Sequence, residues 1–225
     1  MSKSTINQPL VHSTATNKAT TIGTKFAQPA SEFEIERATK ALEQQGFKVK
    51  TVDSLDRAKH AVEGLIPEGS EVFTGTSRTL EKSGLDKELN ESGKYVSARN
   101  NYMQFYGQPD KAVEMRRIGS ASDYAVGSVH AVTQDGQVLV ASASGSQLPN
   151  YAYGASNVIW VVGSQKIVKD LNEGIQRIED YTFPLENERA QKAYGMGSSI
   201  NRILIYRKDP TNRATIIFVK EPVGF

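Results

Sequence analysis

The sequence predicts an α/β protein whose central sheet is mainly parallel, is covered by helices and is joined to antiparallel hairpins. Residues 47–52 and 71–74 have strand character, and an amphipathic helix capped by Asp53 or Ser54 lies between them. Two short strands linked by a helix are typical of parallel pairing in a helix-covered sheet. Residues 138–141 and 158–163 are almost entirely apolar, which indicates strands buried on both faces.

Ordered structure is predicted to begin at Ser31, which forms a capping box with Glu34 and opens a helix that ends at Gly46. Residues 1–30 contain no acidic residue and no apolar period, which predicts a disordered tail followed by one domain over residues 31–225. A Ser/Thr-rich, acid-poor start is also typical of organelle transit peptides, but these carry arginine and residues 1–30 have none.

The strongest turn signal is Asp135-Gly136, which predicts an antiparallel hairpin between residues 124–132 and 137–143. The second of these strands runs into a loop rich in serine and glycine. The other predicted elements are one or two short helices over residues 80–89, a helix after Pro109, a helix capped by Asp170, a polar helix over 186–194, and a final hairpin of 202–207 with 214–220.

The composition excludes several classes of function. Because the chain has no cysteine, it cannot form a disulfide, a thiolate metal site, a cysteine nucleophile or its own iron–sulfur cluster. His12, His60 and His130 lack the spacing of metal ligands. A net charge of +2 without a basic stripe argues against nucleic acid, and no apolar run approaches the roughly 20 residues that span a bilayer. We therefore expect a cytoplasmic protein, with cofactor and oligomeric state left open.

A polar loop follows the predicted strand at residues 71–74. Ligands of open α/β sheets bind beyond the carboxyl ends of the strands, where glycine permits close approach and backbone N–H groups are available. An arginine there can hold a phosphate or carboxylate with two hydrogen bonds. The alternative is simple capping of the next helix, with Glu81 as a surface charge. The predicted ligand-binding residues of this loop are Gly75, Thr76, Ser77, Arg78 and Thr79.

The second candidate loop follows the apolar strand at residues 138–141. Its small residues let a ligand approach the backbone, and its hydroxyl and N–H groups can donate hydrogen bonds. The alternative is a flexible connection without function. The predicted ligand-binding residues here are Ser142, Ser144, Gly145 and Ser146.

Four segments, taken in order, resemble the LUD (lactate-utilisation) domain family. They are TGTSRTLEKSGL at residues 74–85, GSASDYAV at 119–126, QDGQVLV at 134–140 and VVGSQKIV at 161–168. The resemblance covers the chain from about Ser31 onward. It implies a three-layer α/β/α sandwich similar to ribose-phosphate isomerase, glucosamine-phosphate deaminase and the CoA-transferases.

The resemblance also implies a functional context, because the family includes a subunit of an iron–sulfur-dependent lactate oxidation system. This chain departs from those members at residues 134–137, where Gln-Asp-Gly-Gln replaces Glu-Thr-Gly-Thr, so a role for that glutamate does not transfer. The cysteine-bearing cluster modules are also missing. These features point to a stand-alone member of the family.

Two functions follow from these observations. In the first, the two loops bind a small anionic metabolite, a phosphate or carboxylate linked to organic-acid utilisation, and Asp123 or Lys166 serves as a catalytic residue. His130 and Asp135 are further titratable candidates, although a lone strand histidine is more often structural and a lysine at the position of Lys166 is more often a solvated loop residue. Four arginines are expected to be surface charges with local partners, although one of them could cross a subunit boundary into the cleft: Arg177, Arg189, Arg202 and Arg207. In the second, the protein is a non-catalytic accessory subunit that docks on an iron–sulfur or flavin redox complex.

Overall fold

A sheet of six parallel strands forms the centre of the computed structural model, which describes residues 25–225. A second sheet of four strands lies beside it. The strands in chain order are β1 (Lys48–Val52), β2 (Glu71–Thr74), β3 (Val96–Ser97), β4 (Ser122–Gly127), β5 (Ala131–Thr133), β6 (Val138–Ser142), β7 (Ala155–Gly163), β8 (Ile167–Val168), β9 (Arg202–Tyr206) and β10 (Ala214–Val219). The large sheet has the order β1-β10-β7-β4-β2-β3 and the small one β8-β5-β6-β9.

Helices connect these strands, and the predicted caps begin several of them. Ser31 and Glu34 form the expected capping box, and the Ser54 and Asp170 side chains accept from the backbone N–H groups of Arg57 and Glu173. The helices are α1 (Glu32–Gln44), α2 (Leu55–Glu63), α3 (Arg78–Ser83), α4 (Leu85–Glu91), α5 (Ala98–Met103), α6 (Ala112–Ile118), α7 (Leu171–Arg177) and α8 (Phe183–Tyr194).

The two faces of the large sheet are covered differently. On one face, α2, α3 and α4 pack buried side chains such as Val62, Leu80 and Leu89 against the sheet. On the other face, α1 and α5 share the core with β5 and β6, around Trp160. The α/β class with a mainly parallel sheet is therefore confirmed, and a small sheet contributes to one of the covering layers.

Three strand pairings predicted from the sequence are wrong. Strands β1 and β2 are parallel within one sheet, but β10, β7 and β4 lie between them. The Asp135-Gly136 hairpin exists only as β5 with β6, because residues 122–127 belong to β4 of the large sheet. The final strands do not pair either, since β9 joins β6 in the small sheet and β10 lies between β1 and β7. Apolar patterning identifies a strand without specifying its sheet.

Part of the segment predicted to be a disordered tail lies within the described residues. Phe26 is 3% exposed and packs on the outer side of the small sheet, with its ring centroid 6.2 Å from that of Tyr181. The ordered domain therefore starts before Ser31, and the tail prediction for residues 1–24 lies outside the described residues. Over residues 25–225, no helix is both long and apolar enough to cross a membrane.

Candidate functional site

A cleft of about 520 Å³ opens at the carboxyl edge of the parallel sheet. Residues that follow β2, β4, β7 and β10 reach it because the carboxyl ends of parallel strands meet at one edge, and residues that follow β6 of the small sheet reach it as well. The lining includes the loop 75–79, the crossing residues 128–130, residues 141–147 except Gly145, Lys166, and residues 224–225. The sequence-predicted loops are thus brought together.

Lys166 lies at the base of this cleft and is only 2% exposed. A short turn after β7, Ser164–Lys166, positions the side chain, whose Nζ is 3.0 Å from Ser128 Oγ and 3.4 Å from Thr79 Oγ1. Within residues 25–225 no carboxylate pairs with this amine. Burial, reinforced by the charges of Arg177 and Lys82, lowers the pKa of Lys166 well below its ordinary value. Lys166 is therefore not a solvated loop lysine.

His130 lines the same cleft from the segment between β4 and β5. Its Nδ1 accepts a hydrogen bond of 3.1 Å from the backbone N–H of Ala141, so the neutral ring carries its proton on Nε2. Burial, together with the positive charges of Lys166 and Arg177, lowers the pKa of His130 to about 3. At neutral pH the imidazole is an uncharged hydrogen-bond donor at the cleft wall.

Arg177 is a functional candidate that the sequence did not reveal, since it was expected on the surface. Its guanidinium is fully buried, donates to the carbonyls of Gln165 and His130 and to Thr182 Oγ1, and leaves Nη2 without a partner among the described residues. Burial lowers the pKa of Arg177 to about 10. Arg177 thereby holds the backbone of His130 in the cleft wall and of Gln165, the residue before Lys166, and adds positive charge behind them. In α7 Arg177 shares a buried face with Gly174, three residues earlier, and no apolar pattern in the sequence marks that face as buried.

The loop 75–79 combines capping with cleft lining. Ser77 is the N-cap of α3, as the alternative prediction proposed, and Arg78 forms an ion pair with Glu81. Thr79 is buried and contacts the Lys166 amine through its hydroxyl. All four polar side chains of the loop thus have partners in the protein, with Thr76 contacting Arg99, while all five residues face the cleft.

Many polar groups of the second loop form hydrogen bonds with other residues of the same loop. Ser142 Oγ accepts from the N–H of Gly145 at 2.8 Å and lies 3.0 Å from Gln147 Oε1, and the hydroxyls of Ser144 and Ser146 are 3.0 Å apart. Gly145 adopts a φ of 82° and does not line the cleft. The serines remain cleft residues, whereas Gly145 shapes the turn.

Asp123 lies away from the cleft, at the amino end of β4. Its exposed carboxylate accepts a hydrogen bond of 2.9 Å from the backbone N–H of Glu71, which begins β2. Because both strands start there, Asp123 sits at the opposite edge of the sheet from the cleft, and the predicted catalytic role of Asp123 in the cleft has no geometric basis. Asp135 is also remote from the lining, where its carboxylate contacts Thr133 and Gln137 at the hairpin turn.

Basic residues outnumber acidic ones in the lining. Among residues 25–225, Arg78, Lys166 and Arg189 line the cleft, whereas Glu186 is the one acidic residue there and is paired with Arg189 at 2.6 Å. The side chain of Gln165 anchors a further wall by bonding the N–H and carbonyl of Val223 at 3.2 Å and 2.9 Å, which places Gly224 beside Lys166.

The fold and the cleft define an α/β protein with a polar, positively charged site at the carboxyl edge of a parallel sheet. The chain belongs to the LUD domain family, whose model matches residues 35–219. It is also similar in fold to a DUF162 family protein from Deinococcus radiodurans, with 11% sequence identity, a TM-score of 0.51, and coverage of 85% of this chain and 99% of that one. No curated protein matches the sequence.

Proposed function

We propose that the cleft binds a small anionic metabolite that carries a carboxylate or a phosphate. The observation that carries this proposal is the excess of basic groups at the cleft: among the described residues its lining includes Arg78, Arg189 and the Lys166 amine but one carboxylate, and the buried guanidinium of Arg177 lies behind it. Buried charges are normally paired, and Arg177 bonds only neutral groups among residues 25–225, so the site favours a ligand that brings negative charge. Membership of the lactate-utilisation family supports an organic acid as the substrate class.

The roles of the residues follow from their surroundings. The neutral His130 would donate to the ligand beside the Lys166 amine at the base of the cleft, and the Ser142, Ser144 and Ser146 loop would contribute hydroxyl donors at its wall. Arg78 is half-exposed and paired only with Glu81, so it would exchange or share that partner when a ligand enters. None of these roles requires a resident cofactor or a catalytic acid.

The proposal is tested by a thermal-shift screen of the full chain against 2-hydroxy acids, sugar phosphates, nucleotides and CoA thioesters. A ligand at about a hundred times its dissociation constant stabilises by roughly 2.7 kcal/mol, and each kcal/mol raises the midpoint of a domain this size by about 2–4 °C. We expect one anionic class to raise the midpoint.

Variants then locate the ligand. R78A should abolish the shift without lowering the midpoint of the free protein, because the lost Arg78–Glu81 pair is a surface interaction. R57A removes an exposed arginine outside the cleft and serves as the matched control. Equal shifts in R78A, R57A and the parent would remove Arg78 from the site, and no shift from any class would favour the accessory-subunit alternative.

A further inference from the structure

The hydrogen bonds around Lys166 have a definite direction. The Ser128 hydroxyl donates to the Val161 carbonyl at 2.7 Å, so Ser128 Oγ must accept from both Lys166 and Thr79, at 3.0 Å and 3.3 Å. Because the Thr79 hydroxyl donates to Ser128, it accepts from Lys166. The amine thus has two acceptors, which match the two N–H groups of a neutral lysine.

A charged amine would fit this environment poorly. Its third N–H would have no acceptor in the described part of the chain, and the buried guanidinium of Arg177 adds repulsion. Both effects favour the neutral form, in agreement with the lowered pKa of Lys166. In that form the two N–H groups are bonded to protein and the nitrogen lone pair is left without a protein partner. A desolvated, neutral lysine in a cleft is a nucleophile.

We propose that Lys166 forms a Schiff base with a small carbonyl compound that also carries a carboxylate or a phosphate. This inference rests on the proposed anion site and specifies the substrate class that the site takes. The lone pair of Nζ attacks the carbonyl carbon, the C=O bond and the two N–H bonds of the amine break, a C=N bond forms, and the carbonyl oxygen leaves as water with the two amine protons. The reaction consumes no oxidant or reductant. The Nε2–H of His130, at the wall of the same cleft, is placed to donate to the carbonyl oxygen.

Access to the amine depends on the segment 222–225. A Cβ atom on Gly224 would lie 3.2 Å from Lys166 Nζ and 2.4 Å from Thr79 Oγ1, so the glycine backbone passes directly beside the amine. This contact explains why a cleft residue is only 2% exposed. A carbonyl compound therefore reaches Nζ when residues 224–225 move aside, and removing these two residues should speed the reaction.

The experiment traps the imine. The full chain is incubated with glyoxylate as the carboxylate probe or dihydroxyacetone phosphate as the phosphate probe, reduced with borohydride, digested and analysed by mass spectrometry. We expect a secondary amine on Lys166, with the mass of the probe less one water plus two hydrogens. Propanal, an uncharged aldehyde, should label Lys166 roughly tenfold less, the effect of losing one hydrogen bond to a charged group.

Two variants and the shortened chain complete the test. K166M should lose the adduct, whereas K169M, which removes an exposed lysine three residues away, should keep it. Labelling confined to exposed lysines, in both the parent and the chain lacking residues 224–225, would overturn the Schiff base. If an anionic ligand still raises the unfolding midpoint in that case, the proposed anion site remains supported and only the Schiff base is ruled out. Loss of both the shift and the Lys166 adduct would overturn both proposals.

Discussion

The environment of a few single residues determines the chemistry of the cleft. His130 donates nothing through Nδ1, which accepts from Ala141, and its ring lies near the Lys166 amine and the guanidinium of Arg177. A protonated imidazole would therefore lose the Ala141 bond and add a positive charge near that guanidinium. The protein keeps this ring neutral over the physiological range, so that it acts as a donor and not as an acid.

Because His130 stays neutral in the folded state, the stability of the folded protein should decrease in acid. Because the pKa of His130 is about 3 in the folded state and about 6.5 in the unfolded chain, the unfolded chain binds more protons between these values. The free energy of unfolding should therefore fall as the pH drops from about 6.5 toward 3, by up to roughly 1.4 kcal/mol per pH unit from this group. H130N keeps an acceptor for the Ala141 N–H and cannot titrate. In urea unfolding, the free energy of unfolding should fall less steeply with decreasing pH for H130N than for the parent. The same pH dependence in both proteins would contradict the lowered pKa of His130.

At the scale of elements, the crossing from β4 to β5 couples the two sheets at the cleft. Gly127 ends β4, and a Cβ atom there would lie 1.8 Å from the hydroxyl oxygen of Tyr151, a fully buried residue of the cleft lining. The chain needs glycine here because a tyrosine hydroxyl fills the space of a side chain. The next residues, 128–130, form part of the cleft lining.

The contact between Gly127 and Tyr151 predicts a specific coupling. G127A should lower the free energy of unfolding by about 1–3 kcal/mol, the range observed for overpacked cores. Y151F removes the oxygen that clashes and leaves Cζ, 3.0 Å from the added Cβ, as the nearest atom. The double variant G127A/Y151F should therefore be more stable than the sum of the single changes predicts. Additive effects in urea unfolding would show that the two residues do not compete for this space.

The elements also show what the sequence can and cannot specify. Local signals identified the helix starts at Ser31, Ser54 and Asp170, the Asp135-Gly136 turn and the two cleft loops, because caps and turns depend on neighbouring residues. Strand neighbours depend on contacts between distant segments, and apolar runs such as β7 and β10 look alike. For the same reason, Asp123 was expected in the cleft and Arg177 on the surface: their positions follow from strand direction and helix docking.

For the molecule as a whole, the cleft contains buried basic side chains that suit ligand binding but lower the stability of the folded protein. Lys166 and Arg177 are buried without a carboxylate partner among residues 25–225, and each gives up hydration for hydrogen bonds to neutral groups. Elsewhere the described charges form surface pairs such as Lys40–Glu36 and Lys192–Glu188, which contribute little to stability. Residues that reduce stability yet persist at a cleft are typical of functional sites.

This opposition predicts that removing the amine stabilises the protein. Because the pKa of Lys166 in the folded state lies well below that of the unfolded chain, the unfolded chain binds the extra proton between the two values and is favoured there. K166M lacks this penalty and should unfold at higher urea, by about 1–4 kcal/mol near pH 7. As the pH rises toward the pKa of the unfolded lysine, the parent should gain up to roughly 1.4 kcal/mol per pH unit and the difference should shrink. The control K169M should follow the parent at every pH. A K166M protein that is less stable than the parent near pH 7, with a difference independent of pH, would mean that Lys166 stabilises the fold through its hydrogen bonds and carries no buried-charge penalty.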